Sequence, residues 1–136
     1  MNTSQSDICI FCRIINKEIP SYIIFEDENT LGVLDRNPIN QGHILLIPKT
    51  HEEYVFNLPN DTYLQLMKTT KSVATMMKEK TKAKRIGLAI EGFGVPHTHI
   101  HLVPVNNGNE LNPERAKSAT DANLKFVQEK IYNVKK

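Results

Sequence analysis

Three histidines fall within five residues, in the run His97-Thr98-His99-Ile100-His101. Alternate side chains of a strand face the same side, so a strand here predicts His97, His99 and His101 on one face and Thr98, Ile100 and Leu102 on the other. Ile100 and Leu102 fit a core, and the imidazole face then meets a cavity or solvent. Three buried imidazoles need partners, and as cations they would repel one another. An ordinary solvated edge would more naturally carry Lys, Thr or Glu. Two chemistries remain. Three alternate histidines can ligate one catalytic zinc ion. Alternatively, one imidazole attacks phosphorus while its neighbours orient it and bind the phosphate, because a neutral imidazole is a good nucleophile near neutral pH.

Cys9 and Cys12 form a Cys-x-x-Cys pair. In a reducing compartment such a pair is half of a metal site or a redox couple. No βαβ pattern follows it, which argues against a thioredoxin-like role.

The elements that must position these groups are legible in outline. Ile8 to Asn16 suits a short helix, and Pro20 ends it. Tyr22–Glu26 and Thr30–Asp35 are β-rich runs joined by the turn residues Asp27-Glu28-Asn29. His43–Ile47 is a further strand, stopped by Pro48. A long helix follows Pro59, capped by Asn60 or Asp61, with one apolar stripe through Tyr63, Leu66, Met67, Thr70, Val73, Ala74 and Met77. Arg85–Glu91 and His97–Val103 are strands joined through Gly92-Phe93-Gly94. A last helix is expected from about Ala119 to Tyr132, with Ser118 and Asp121 placed for a capping box. Closely spaced strands pair as hairpins, so the expected fold is α+β: a five-stranded antiparallel sheet with one long central helix and a C-terminal helix.

The 136 residues suit one domain, 1–136, with a loose segment 1–7 and a C-terminal extension 105–136. The formal charge of +2 is spread along the chain and gives no footprint for nucleic acid, and Lys135-Lys136 reads as a solvated tail. No apolar run reaches the ~20 residues of a membrane span. MNTSQSD lacks the charged and apolar regions of a signal peptide, so the expected setting is the cytoplasm, with both cysteines reduced.

His97-Thr98-His99-Ile100-His101-Leu102-Val103 resembles the motif of the histidine triad (HIT) family of nucleotide-binding proteins. Further segments resemble that family in the family's order: Cys9-Ile-Phe-Cys-Arg-Ile-Ile, Glu18-Ile-Pro-Ser, Phe25-Glu-Asp-Glu, Leu34-Asp35 with Pro38, and Gly42-His43 through Pro48-Lys-Thr-His51. The likeness runs from about Ile8 to Pro104.

The resemblance implies a HIT-like fold and a homodimer with a ten-stranded shared sheet. It implies that His99 attacks the α-phosphate of a purine nucleotide derivative and forms a nucleotidyl-histidine intermediate, from which water releases the monophosphate. His101 would bind phosphate, and His43 would support the triad from the neighbouring strand. Asp35 would hold the ribose hydroxyls, since a carboxylate accepts from both hydroxyls of a cis-diol; a turn-ending aspartate is the plainer alternative. Phe11, Ile10, Ile14 and Leu45 would sandwich the base. Cys9, Cys12, His51 and His97 would hold a structural zinc, a closed tetrahedral set. No organic cofactor is implied. The loop Glu91-Gly92-Phe93-Gly94-Val95-Pro96 is shorter than the family's and lacks its polar side chains, although Gly94 can still offer a backbone N–H to phosphate. The expected activity is hydrolysis or transfer on a phosphoramidate-like nucleotide. A zinc-stabilised nucleotide-binding protein with little catalysis and a dinucleoside polyphosphate hydrolase are the alternatives.

Overall fold

The computed structural model describes residues 9–134. The expected looseness of residues 1–7, the helix start at Ile8 and the tail Lys135-Lys136 therefore lie outside the described residues.

Helix α1 (Ile10–Ile15) leads into strands β1 (Ile23–Glu26), β2 (Thr30–Leu34) and β3 (Ile44–Pro48), helix α2 (Asn60–Thr81), strands β4 (Arg85–Ala89) and β5 (Ile100–Val105), and helix α3 (Asp121–Phe126). The strands form one five-stranded antiparallel sheet, as the patterning predicts, and its order is β1-β2-β3-β5-β4. Asp27 makes the β1–β2 turn by accepting from the backbone N–H groups of Asn29 and Thr30, both at 2.9 Å.

Period-two alternation sorts the central strands onto two layers. Leu31, Val33, Leu45 and Ile47 face α1 and pack with Phe11 and Cys9. Ile44, Leu46, Ile100 and Leu102 face α2 and meet Leu66, Val73 and Met77 of its apolar stripe. Leu124, Val127 and Tyr132 extend that second layer. His101 pairs across the sheet with Leu45, so its side chain emerges on the α1 face.

Several boundaries differ from expectation. Neither Asn60 nor Asp61 caps α2; Pro59 is the N-cap, without a side-chain bond, and Asp61 sits in the first turn, where its charge suits the helix dipole. At α3 the cap is Thr120, whose hydroxyl accepts from Asn123 N–H at 3.0 Å. Ser118 is not a capping-box residue, because its hydroxyl is spent on Asn37 Oδ1 at 2.9 Å. The helix then widens into a π turn over Val127–Ile131. His43 precedes β3 rather than starting it.

The largest correction concerns the histidine run. β5 begins at Ile100, so His97, Thr98 and His99 are not strand residues. The Thr98 N–H and hydroxyl both donate to Glu52 O, at 2.6 and 2.7 Å, and His97 N–H donates to Val95 O at 2.8 Å. These bonds take the backbone away from the ladder. Among the described residues, no helix is long and apolar enough to cross a membrane.

Candidate active site and metal centre

His97 is fully buried, and its ring is held at both nitrogens. Nε2–H donates to Pro48 O at 2.8 Å, which leaves Nδ1 with a bare lone pair. That lone pair faces Cys9 Sγ at 3.3 Å, Cys12 Sγ at 3.5 Å and His51 Nδ1 at 3.2 Å, and Cys12 Sγ lies 3.2 Å from His51 Nδ1. Tetrahedral zinc has bonds of ~2.3 Å to sulfur and ~2.0 Å to nitrogen, which sets edges of about 3.3 Å between nitrogens and about 3.5 Å between nitrogen and sulfur. All four ligand atoms lie within 4.8 Å of one another, and the set fits a Cys₂His₂ ion. Burial, with Cys9 beside it, pushes the Cys12 thiol up to about 12. A bound cation reverses that balance by taking the thiolate itself.

This geometry removes the three-histidine metal site. The His97 ring points into the cysteine cluster, away from any ion shared with His99 and His101.

His99 is buried against Phe11, with ring centroids 4.9 Å apart, and stands 5.1 Å from the His101 ring. Its Nδ1–H donates to the carbonyl oxygen of His97 at 2.7 Å. In the neutral ring Nε2 then carries the free lone pair, a tautomer that the backbone has already chosen.

His43 and His101 are fixed in the same way. Ile39 N–H donates to His43 Nδ1 at 3.0 Å, so the His43 proton sits on Nε2. That Nε2–H donates to His101 Nδ1 at 3.0 Å. The His101 proton is left on Nε2, a hydrogen-bond donor facing the site. Burial pulls the His43 pKa down to about 4 and lowers that of His101; the Asp35 carboxylate opposes both shifts. Each is a neutral imidazole near pH 7.

Asp35, His43 and His101 also lie close enough to hold an ion. The Ile39 N–H argues against one there: a metal on His43 Nε2 would move the ring proton to Nδ1, against another donor. Asp35 Oδ1 accepts from Asn37 N–H at 2.8 Å, and Oδ2 lies 3.5 Å from His43 Nε2. The second oxygen is the one open to a ligand.

The residues expected around a base are brought together only in part. Phe11 and Leu45 are buried in the layer beneath α1, and Ile14 packs against it. Ile10 is 45% exposed and stands apart from that cluster. Gly94 lies in the exposed loop before the triad, with φ +85° and open space around its α-carbon. Three participants had no signature in the residue pattern: the Pro48 carbonyl, the Ile39 N–H and the segment around Leu111, which reaches the cavity beside His101. The first two are backbone groups, which almost any residue type would supply.

A profile of the HIT domain matches residues 16–108. A protein of Borreliella burgdorferi described as an uncharacterized HIT-like protein is 37% identical over 124 residues, covering 80% of this chain and 89% of its own. An adenosine 5'-monophosphoramidase of Candida albicans is 33% identical over 108 residues, covering 71% of this chain and 69% of its own. Among solved structures, a zinc-bound histidine triad family protein of Mycobacterium smegmatis superposes with a TM-score of 0.77 at 32% identity, covering 93% of this chain and 91% of that one.

Proposed function

The chain belongs to the histidine triad (HIT) family, and on that premise we propose that it hydrolyses or transfers the nucleotidyl group of a purine nucleotide phosphoramidate, through a covalent intermediate on His99. The observation that carries this reading is the 2.7 Å bond from His99 Nδ1–H to the His97 carbonyl, which aims an unprotonated Nε2 at the site.

The His99 Nε2 lone pair attacks the α-phosphorus, and the bond from phosphorus to the leaving amine breaks as its nitrogen keeps the electron pair and takes up a proton from solvent. The attacking ring becomes cationic, and the His97 carbonyl oxygen is already in place against its Nδ1–H. His101 Nε2–H donates to a phosphate oxygen, held in that tautomer by His43. Asp35 Oδ2 accepts from the ribose hydroxyls. Water then attacks phosphorus and gives up a proton to solvent, the P–N bond to His99 breaks with its electron pair returning to Nε2, and the monophosphate leaves as the imidazole returns to its neutral form. Dividing one displacement into two in this way lowers each barrier.

Zinc on Cys9, Cys12, His51 and His97 would neutralise two thiolates and pin α1 to the sheet. Its role there would be structural, since Cys₂His₂ is a closed ligand set. In a reducing cytoplasm both thiols stay available to it. The homodimer forms through β4, the unpaired edge next to β5, where Leu88 is 42% exposed.

The test is intact-mass measurement after rapid mixing with adenosine 5'-phosphoramidate. A mass increase of one adenylyl group that maps to His99, and its loss in His99→Ala with nucleotide binding retained, is the expected result. Tight binding without an adduct or turnover would instead make the chain a zinc-stabilised nucleotide-binding protein.

A further inference from the structure

Cys9 and Cys12 stand at the two ends of one helical turn. Cys9 is the N-cap of α1, and its Sγ accepts from the Cys12 N–H at 3.3 Å. Both sulfurs face the same ring nitrogen, His97 Nδ1, at 3.3 and 3.5 Å, and they lie within 4.8 Å of each other. Side chains three apart on a helix have β-carbons roughly 5–6 Å apart, and a disulfide draws them to about 3.5–4.5 Å. Closing that gap asks for a small movement at the first turn, where Cys9 already has extended backbone angles, φ −95° and ψ 110°. The chain has no other cysteine, so one pairing alone is open within it. Access differs between the two. Cys9 is fully buried and Cys12 is half-buried, so a small solute reaches Cys12 first.

The pair can serve a cation or bond to itself, but not both. Zinc takes each sulfur as a thiolate. A disulfide sulfur carries no charge, and only His51 and His97 would remain of the four ligands. Two imidazoles are half of the set that tetrahedral zinc requires. The His97 Nδ1 lone pair would also lose what stands opposite it, with His51 Nδ1 left at 3.2 Å. Phe11 carries the change further, because it lies between the two cysteines in the same turn. Its ring stands edge-on to His97 at 6.1 Å and to His99 at 4.9 Å between centroids. Tightening the Cys9–Cys12 turn therefore moves a ring that packs on His99.

We propose that Cys9 and Cys12 are a reversible oxidation site, joined by a peroxide into an intrachain disulfide, and that this cluster holds zinc only while the two are reduced. The Cys12 thiolate attacks a peroxide oxygen, the O–O bond breaks and hydroxide leaves, with a sulfenic acid on Cys12. The Cys9 thiolate attacks that sulfur, the S–O bond breaks and a second hydroxide leaves. Two protons from solvent turn both hydroxides into water. The sulfurs give up two electrons in all, which the peroxide accepts, and a reductant returns them. Metal content thereby follows the oxidation state of the pair. The consequence for His99, slower attack in the oxidised chain, rests on the HIT-hydrolase reading above; the disulfide and the loss of metal do not.

Titration of the full chain, loaded with an equivalent of zinc, with hydrogen peroxide tests this. A chromogenic indicator follows free zinc. Remaining thiols are blocked with N-ethylmaleimide, and fragment spectra of the tryptic peptide ending at Arg13, which holds both cysteines, read the bond. That peptide should become two hydrogens lighter at its cysteines and carry no maleimide, with a zinc ion released for each disulfide formed. A phosphine reductant with added zinc should restore both thiols and the metal. In Cys9→Ser, Cys12 should take up oxygen instead. Thiols that survive excess peroxide, oxidation of wild type that stops at oxygen adducts, bonds between two chains, or a disulfide formed with zinc retained each overturn the proposal. With adenosine 5'-phosphoramidate, the oxidised chain should form the His99 adduct roughly tenfold more slowly than the reduced one, and equal rates overturn the coupling to His99. Absence of the adduct from both forms, beside a disulfide that expels zinc, upholds the oxidation site and sinks the hydrolase reading alone.

Discussion

The Nδ1–H of His99 donates to the carbonyl oxygen of His97 at 2.7 Å, and the ring of His97 is a corner of the Cys9/Cys12/His51 cluster. One residue thus belongs to both the candidate metal cluster and the support of the proposed nucleophile. Phe11 adds a second link, because it packs on both rings from a helix whose N-cap is Cys9. A metal at this cluster would hold the residues that aim His99.

Metal removal should therefore slow chemistry as well as loosen the fold. Cys12→Ser should empty the site, lower the melting temperature by about 5–10 °C, and slow adduct formation roughly tenfold or more. Elemental analysis, calorimetry and timed intact-mass spectra report the three effects. A metal-free protein that forms the adduct at the full rate would break the link.

His43 should make stability depend on pH. Its pKa falls from an ordinary 6.5 to about 4 on folding, chiefly through burial. The unfolded chain takes up this proton at higher pH than the folded one does. The stabilisation is complete above about pH 6.5 and declines as pH drops toward 4. Protonation also sets a second donor against the Ile39 N–H. Urea titrations at pH 7.5, 6 and 5 should show a steeper loss in wild type than in His43→Gln. Parallel curves would place the buried titration elsewhere.

Asp35 should read the sugar. With one oxygen committed to Asn37 N–H and the other open, the wild type should prefer AMP over its 2'-deoxy form. Asp35→Ala should reduce that preference by about 10–100-fold, the worth of a lost charged hydrogen bond of roughly 1.5–3 kcal/mol. Competition binding of the two nucleotides measures it, and an unchanged ratio would return Asp35 to a turn residue.

Gly42 should tolerate no side chain. Its φ of +95° favours glycine, and a Cβ there would sit 3.0 Å from Tyr132 Oη and 3.2 Å from Pro104. Gly42→Ala should cost on the order of 2 kcal/mol. Tyr132→Phe, which strips the 2.6 Å bond to the Gly42 carbonyl, should cost about 1–2 kcal/mol. Chemical denaturation separates the two, and a neutral Gly42→Ala would mean that the chain around Tyr132 yields easily.

Much of the arrangement could be read from residue types alone. The helical stripe through Leu66, Thr70, Val73 and Met77 is the buried face of α2, because a 3.6-residue period needs no partner to be recognised. The alternation at Ile100–Leu102 foretold that Ile100 and Leu102 turn into the core, opposite His101. Extending that alternation back to His97 went too far. The Glu52 carbonyl, from a loop 46 residues earlier, captures the Thr98 backbone and holds it off the sheet. No local period reports such a contact.

The order of side chains therefore determined which imidazoles and thiols this protein has, and which layer most of its strand residues face. Tertiary structure decided what each ring does. A neutral imidazole is donor on one nitrogen and acceptor on the other, and its choice follows whichever group lies opposite: the Pro48 carbonyl for His97, the His97 carbonyl for His99 and the Ile39 N–H for His43. Those partners are main-chain atoms, common to almost every residue, so only their placement in space distinguishes the ring turned into the cysteine cluster from the ring proposed to attack phosphorus.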